Sequence, residues 1–267
     1  MKGVLTVLTN AATMRTANSE QRTANSEQPI LYLVAPAYNE SQNIKNFVEE
    51  WYPIVDRHNG GGLSRLVVVD DGSKDDTYKI LQDMAGTRGL LLPLTKPNGG
   101  HGSALIYGYK YATSHGADYI FQTDTDGQTS ASEFESFWNE CGSYDAVLGK
   151  RPVRGDGKSR KFVENVLCMI LRAIFGVKVP DSNCPFRLMR SELVSKYISR
   201  LPDDFNLPNV MLTVYFAYFR ENIAFKDITF RPRQGGKNSI NVKRIISIGM
   251  KAVSDFRLLR KEIGHAE

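Results

Sequence analysis

Asp124, Asp126 and Gln128 place two carboxylates and an amide at alternate positions, at the end of the apolar run Tyr119-Ile120-Phe121-Gln122-Thr123. Three side-chain oxygens at that spacing suit one hard divalent cation, Mg2+ or Mn2+. In an extended strand alternate side chains share a face. Gly127 lets the chain turn, so the group is expected on the rim of a sheet. A cation only partly caged by protein keeps positions open for a diphosphate. Read alone, the same residues also fit an acidic turn that closes a strand.

Three upstream segments follow short apolar runs in the same way. Residues 31–35 lead into Pro36-Ala37-Tyr38-Asn39-Glu40, residues 66–69 into Asp70-Asp71-Gly72-Ser73, and Lys96-Pro97 into Asn98-Gly99-Gly100-His101-Gly102. Singly, each has a plain reading as a broken strand, a turn with a helix cap, or a glycine-shaped loop. Together, in this order and ahead of the D-x-D group, they resemble the family 2 glycosyltransferases with the GT-A nucleotide-sugar fold. The D-x-D-x-Q form is most similar to the dolichyl-phosphate mannose synthase and polyprenyl-phosphate glycosyltransferase branch.

That resemblance implies roles for particular residues. Pro36, Tyr38 and Glu40 match the motif lining the nucleoside pocket, and Asp71 the aspartate that hydrogen-bonds base or ribose. Lys96 and the loop through Gly102 match a segment beside the nucleotide and diphosphate. Asp124, Asp126 and Gln128 match the metal motif. Gly149-Lys150-Arg151 resembles the branch's G-S-R element, with Lys150 in place of serine. Asp181 to Arg187 resembles its D-x-x-x-G-F-R element, with Pro185 in place of glycine, which stiffens the turn. Phe230 to Ser239 resembles its terminal R-x-x-G-x-S segment. The likeness runs over about residues 30–245.

The elements that must position these groups alternate along the chain. Strand-like runs at 30–35, 65–69, 90–95, 119–123 and 145–149 are separated by helical patterns at 44–51, 77–85 and 103–114. Ser130 and Glu133 have the spacing of a capping box ahead of Phe134, Phe137 and Trp138. The alternation predicts an α/β fold, a Rossmann-like, mostly parallel sheet flanked by helices. Ligands then bind beyond the carboxyl ends of the strands, where all four motifs fall. The repeated heptad Arg15–Gln21 and Arg22–Gln28 is polar and is expected to be disordered or frayed. The expected organisation is thus 1–29 outside the fold, 30–239 the catalytic domain, and 240–267 a basic amphipathic helix.

Composition agrees with an enzyme. Of 267 residues 42% are hydrophobic and 24% charged, enough for a full core, and the net charge of +5 is modest. It fits an anionic substrate or a membrane surface; with no nucleic-acid-binding signature, nucleic acid is not an expected partner. Cys141, Cys168 and Cys184 make no C-x-x-C pattern and read as reduced thiols. No apolar run approaches the roughly 20 residues that span a bilayer, and no signal-peptide pattern is seen. Residues 158–175 begin basic and turn apolar, and 240–263 set Ile245, Ile248, Phe256 and Leu259 among lysines and arginines. Such basic amphipathic helices can lie in the membrane interface. With the branch's habit of using interfacial helices here, the expected location is cytoplasmic, peripheral on the inner face of the membrane.

The implied reaction is metal-dependent, inverting transfer from a UDP- or GDP-linked sugar to a polyprenyl (dolichyl or undecaprenyl) phosphate. A lipid monophosphate is ionised at neutral pH and needs no strong base; Arg151, Arg160, Lys161 and Arg187 are the candidates to hold it. A sugar hydroxyl acceptor, as in cell-surface polysaccharide or glycolipid assembly, needs a base, and Asp181 is then the candidate. An inactive nucleotide-sugar-binding relative is the third reading.

Overall fold

The computed structural model describes residues 28–152, 158–232 and 242–264, with the side chains of 158–160, 242–250 and 264 outside that description. The duplicated heptads and the segment 233–239 therefore lie outside the described residues, except Gln28.

Seven strands form one sheet: β1 (Leu31–Ala37), β2 (Arg65–Asp70), β3 (Leu91–Thr95), β4 (Tyr119–Thr123), β5 (Ala146–Lys150), β6 (Phe186–Arg190) and β7 (Ile223–Asp227). Their order is β3-β2-β1-β4-β6-β5-β7. Every neighbouring pair is parallel except those made by β6, which runs against both β4 and β5. The expected α/β architecture with a mostly parallel sheet is therefore what forms. The structure adds two strands that periodicity did not separate, β6 and β7.

Helices α1 (Ile44–Arg57), α2 (Thr77–Ala85) and α3 (His101–Ser114) cross between the first strands. The short α4 (Phe134–Trp138) and long α5 (Lys158–Phe175) follow β4 and β5. Then come α6 (Ser191–Ile198), α7 (Pro208–Tyr218) and α8 (Val242–Gly264). Both faces of the sheet are covered, so β1 is buried along its whole length. Its alternate residues still divide between two cores. Tyr32 and Val34 pack with Tyr109 of α3 and with α7, whereas Leu31, Leu33 and Ala35 pack with α1. In the second core Trp51 lies against Phe121 and Phe186, with ring centroids 5.5 and 6.1 Å apart. Pro208 opens α7 at its first turn, where a missing N–H costs nothing; nine of its eleven residues are buried, so it reads as a core helix.

Two local expectations change. Ser130 and Glu133 do not form a capping box. The Ser130 hydroxyl bonds that of Ser132, and the Glu133 carboxylate accepts the backbone N–H of Thr229 at 3.0 Å. The chain after β7 has taken the acceptor that a helix cap would use, and α4 starts from a 3-10 turn, Ala131–Glu133. Helix α3 begins at His101, two residues earlier than its apolar pattern suggests.

Gly102, expected beside the nucleotide, is a packing position. A Cβ there would lie 2.2 Å from the carbonyl oxygen of Phe205 and 2.6 Å from the carbonyl carbon of Asn206. Those are backbone atoms that cannot step aside as a flexible side chain does. Gly102→Ala should therefore destabilise the fold by about 1–3 kcal/mol, a fall of several degrees in Tm by thermal denaturation. An unchanged Tm would mean that the 205–206 loop does not seat on α3 as described.

Candidate active site

The D-x-D turn leaves β4 at the point where the sheet order reverses, between β1 and β4. In open α/β sheets this is where ligand crevices form. Thr125, between the two carboxylates, is buried and donates its hydroxyl to the Pro36 carbonyl at 3.0 Å. That bond fastens the turn to the end of β1. Asp124 accepts from the Gln122 side-chain amide at 3.0 Å, while Asp126 accepts the Gln128 backbone N–H at 3.1 Å across Gly127, whose φ is +72°. The Asp124 side chain remains about a quarter exposed. His101, the first residue of α3, brings Nε2 to 3.9 Å from Asp124 Oδ1.

Two rim carboxylates suit a hard cation that takes its remaining oxygens from a diphosphate and water. Among the described residues no three His, Cys, Asp or Glu side chains are placed to hold a metal ion by themselves, so the pair offers an open seat, not a closed cage. Gln128 is buried, and its amide donates to the Arg231 carbonyl at 3.1 Å, tying down the segment that follows β7.

Beside this turn the loops after β1 and β2 are laced together. The Asn39 N–H donates to Ser73 Oγ and the Lys74 N–H to Asn39 Oδ1, at 2.9 and 2.8 Å. Glu40 is buried, holding Asn43 through its carboxylate at 2.7 Å, whereas Tyr38 is 43% exposed. Of the three expected nucleoside-pocket residues, Pro36 and Glu40 hold the loops and Tyr38 offers a free ring face.

Asp71 is engaged by the loop after β3. Its Oδ1 accepts from Lys96 Nζ at 2.8 Å and Gly99 N–H at 2.9 Å, and its Oδ2 from Gly100 N–H at 2.7 Å. A carboxylate 3% exposed must be met by donors, and the glycine loop supplies them. Asp71 and Lys96 thus shape the loop leading into α3.

On the far side of the cleft, after β5, Arg151 and Asp181 form a bidentate pair with both side chains 5% exposed. Nε donates to Oδ2 at 2.8 Å and Nη2 to Oδ1 at 2.9 Å. Glu164 of α5 lies 3.8 Å from Arg151 and accepts both the N–H and the hydroxyl of Ser182 at 2.8 Å. The guanidinium also stands 4.9 Å over the Phe230 ring. Burial alone would lower the Arg151 pKa; the hydrogen bonds to Asp181, with the surrounding negative groups, push it well above its ordinary value. The two groups given separate roles by the sequence are therefore each other's partner.

Arg187 does not face an acceptor. It is 1% exposed on β6, with Nη1 donating to the Asn209 carbonyl at 2.9 Å and Nη2 to Thr213. Running antiparallel beside β4, β6 puts Arg187 opposite Gln122 and points it under α7. Lys161 donates to the Pro152 carbonyl at 3.1 Å and is exposed. The Arg160 side chain lies outside the described residues. Sequence reading had His101 only as part of the glycine loop and missed Gln122, Asn209 and Glu164. Of those three only Gln122 carried a signal, being two residues before Asp124.

The family model for glycosyl transferase family 2 matches residues 32–198. Among curated proteins, a UDP-N-acetylglucosamine–dolichyl-phosphate N-acetylglucosaminyltransferase of Methanococcus voltae is 35% identical over 139 residues, 46% of this chain and 52% of that protein. An undecaprenyl-phosphate 4-deoxy-4-formamido-L-arabinose transferase of Pectobacterium carotovorum is 26% identical over 166 residues, 61% of this chain and 49% of that one. The chain spans about half the length of the curated relatives it matches. Among solved structures, glucosyl-3-phosphoglycerate synthase from Mycobacterium tuberculosis superposes with a TM-score of 0.64 at 20% identity, covering 87% of this chain and 80% of that one. At that identity the likeness shows the GT-A fold. The same enzyme has been crystallised with Mn2+, UDP and glucosyl-3-phosphoglycerate.

The Arg151–Asp181 pair makes a stability prediction. Arg151→Met strands a buried carboxylate and should cost about 3–5 kcal/mol, whereas Arg151→Met with Asp181→Leu should recover most of that loss. Denaturant unfolding of the singles and the double checks this. Additive losses would show that the two groups are not partners in solution.

Proposed function

The chain belongs to glycosyl transferase family 2, and from that premise we propose that it transfers a sugar from a nucleotide-diphosphate donor to a polyprenyl phosphate. The observation that carries the choice of acceptor is the state of the carboxylates on the acceptor side. Asp181 is gripped by Arg151, and Glu164 is held by Ser182. Both oxygens of Asp181 are turned to the Arg151 guanidinium and not to an incoming hydroxyl. An acceptor that arrives already ionised, as a phosphate monoester does at neutral pH, needs no base. The hydroxyl-acceptor reading requires Asp181 to be released from Arg151 before it can act as a base.

In this reading the donor lies across the carboxyl ends of β1, β2 and β4. The exposed Tyr38 ring is available to stack on the base, the Asp71-ordered glycine loop flanks the diphosphate, and Asp124 and Asp126 hold Mg2+ or Mn2+. When bound, that cation supplies Lewis-acid neutralisation of the leaving diphosphate. The lipid phosphate oxygen attacks the anomeric carbon opposite the departing nucleotide diphosphate, so the configuration inverts. Arg151 acts by fixing the 181–184 loop. Phosphate-binding charge falls to Lys161 and Lys150, the latter in an exposed pair with Asp227 at 3.1 Å that a phosphate can displace. Arg160 stays a candidate on sequence grounds.

A lipid acceptor has to be met at a membrane. No helix among the described residues is long and apolar enough to cross one. Helix α5 exposes Phe162 and Met169, 68% and 62% accessible and two turns apart on one face, and α8 exposes Leu258 among Arg257 and Lys261. The two helices touch through Phe175 and Phe256, with ring centroids 6.1 Å apart. Apolar side chains flanked by cations suit peripheral contact with an anionic bilayer surface, and supports cytoplasmic-face attachment as part of this proposal.

The test is to incubate the full chain with radiolabelled UDP- and GDP-sugars, Mg2+ or Mn2+, and polyprenyl phosphate in detergent or vesicles. Label should enter the organic phase. The transfer should fall by at least about 10³-fold in EDTA or in Asp126→Ala, the several kcal/mol that a catalytic cation supplies. Label confined to water-soluble glycan would overturn the lipid acceptor, and full activity in EDTA would overturn the metal.

A further inference from the structure

Behind Asp124 a line of buried polar side chains runs into the core. Gln122 Nε2 donates to Asp124 Oδ1 at 3.0 Å, Asn209 Nδ2 donates to Gln122 Oε1 at 3.0 Å, and Tyr109 OH donates to Asn209 Oδ1 at 2.7 Å. Gln122, Asn209 and Tyr109 are 0, 2 and 0% exposed. They come from three elements, β4, α7 and α3, and the Asn209–Gln122 link joins positions 87 residues apart. Nothing in core packing calls for two amides and a phenol end to end, and an apolar trio of similar size would fill the same space.

The line has a direction set by its charged end. A carboxylate accepts only, so Gln122 must present its NH2 to Asp124 and its oxygen inward. That oxygen needs a donor, which fixes Asn209 with its NH2 towards Gln122 and its oxygen towards Tyr109. The Tyr109 hydroxyl then has to donate. Asn209 is held in turn by its own carbonyl, which accepts Arg187 Nη1 at 2.9 Å and Thr213 Oγ1 at 2.9 Å. Arg187 Nε has no hydrogen-bond partner in that buried setting, while its two terminal nitrogens are held by the Asn209 carbonyl and Thr213. The guanidinium anchors the backbone carrying Asn209.

We propose that the relay Tyr109–Asn209–Gln122 is a positioning device that holds Asp124 by Oδ1 and leaves its other oxygen aimed at the cation. This rests on the reading that Asp124 and Asp126 hold a divalent metal. Gln122 and Asn209 are positioning residues, since neither reaches the cleft. Partners that orient a metal-ligating carboxylate typically change metal affinity by about 10–100-fold when removed.

Asn209→Asp keeps size and shape but reverses the relay. An acceptor-only side chain at 209 makes Gln122 turn its NH2 inward, which sets the Gln122 oxygen against Asp124. Gln122→Met removes the donor outright. Mn2+ binding, followed by the EPR signal of the free ion, would be measured on the full chain with UDP and, in parallel, with GDP. Both variants should weaken Mn2+ binding by about 10–100-fold, and the double should be no worse than either single, because one line is cut twice. The donor KM should rise with the Mn2+ constant, while Tm of Asn209→Asp falls little. Asp126→Ala is the control. If it loses Mn2+ while Asn209→Asp and Gln122→Met keep unaltered affinity, or if the double is additive, the relay is overturned and the metal site stands. If Asp126→Ala also binds Mn2+ normally, the metal reading fails and takes the relay with it.

Discussion

Every carboxylate around the mouth of the sheet has to be met by a donor, and this requirement organises the cleft. These groups sit where the apolar core ends, too enclosed for water to solvate them fully. Asp71 is met by two backbone N–H groups and Lys96, and so folds the glycine loop around itself. Asp124 is met by Gln122, Asp126 by the N–H of Gln128, Asp181 by Arg151, and Glu164 by Ser182. Each bond fixes a backbone segment as well as a side chain. Loops that are far apart in sequence are therefore set relative to one another by the groups that would do chemistry between them.

The reversed strand β6 has the largest consequence for the site. Inserted antiparallel between β4 and β5, it brings residues 181–190 beside the D-x-D strand and turns Arg187 inward against Gln122. The same insertion carries Asp181 to Arg151 at the end of β5. Gly149 is part of that fit, because a Cβ there would lie 2.8 Å from Cys184 Sγ and 2.9 Å from the Phe186 carbonyl oxygen. The half of the sheet from β3 to β4 is built of parallel strands joined by helical crossovers. The half from β6 to β7 locks Arg151 and Asp181, the expected acceptor-side residues, into a pair instead of presenting them singly.

Much of the first half was legible in the sequence because crossover units are local. A strand, a polar turn and an amphipathic helix follow one another within about thirty residues, so hydrophobic periodicity located β1 to β4 and α1 to α3. The D-x-D group was legible for the same reason, its spacing being its geometry. What stayed hidden depends on distant pairing. Arg187 looks like an exposed phosphate ligand until β6 is known to lie in the sheet interior. Ser130 and Glu133 look like a helix cap until the chain after β7 takes Glu133. Arg151 and Asp181 read as two roles because nothing at a separation of 30 residues says that one neutralises the other. Asn209 gave no signal at all, since its partners lie on strands and helices up to 100 residues away.

The distribution of cations then bears on why a metal would be needed. A nucleotide diphosphate brings two or more negative charges to a cleft that already contains Asp124 and Asp126. Lys96 is engaged with Asp71 and Arg151 with Asp181, while Arg187 lies sealed beneath the sheet. His101, at 3.9 Å from Asp124, is neutral unless protonated. The protein's basic groups nearest the donor are thus already committed to shaping loops. Moving one to the diphosphate would strand a buried carboxylate, a cost larger than a surface ion pair returns. Under the proposed function, and among the described residues, the two partly exposed carboxylates at the switch point are the place where a divalent cation would neutralise the leaving group without disturbing any of those pairs.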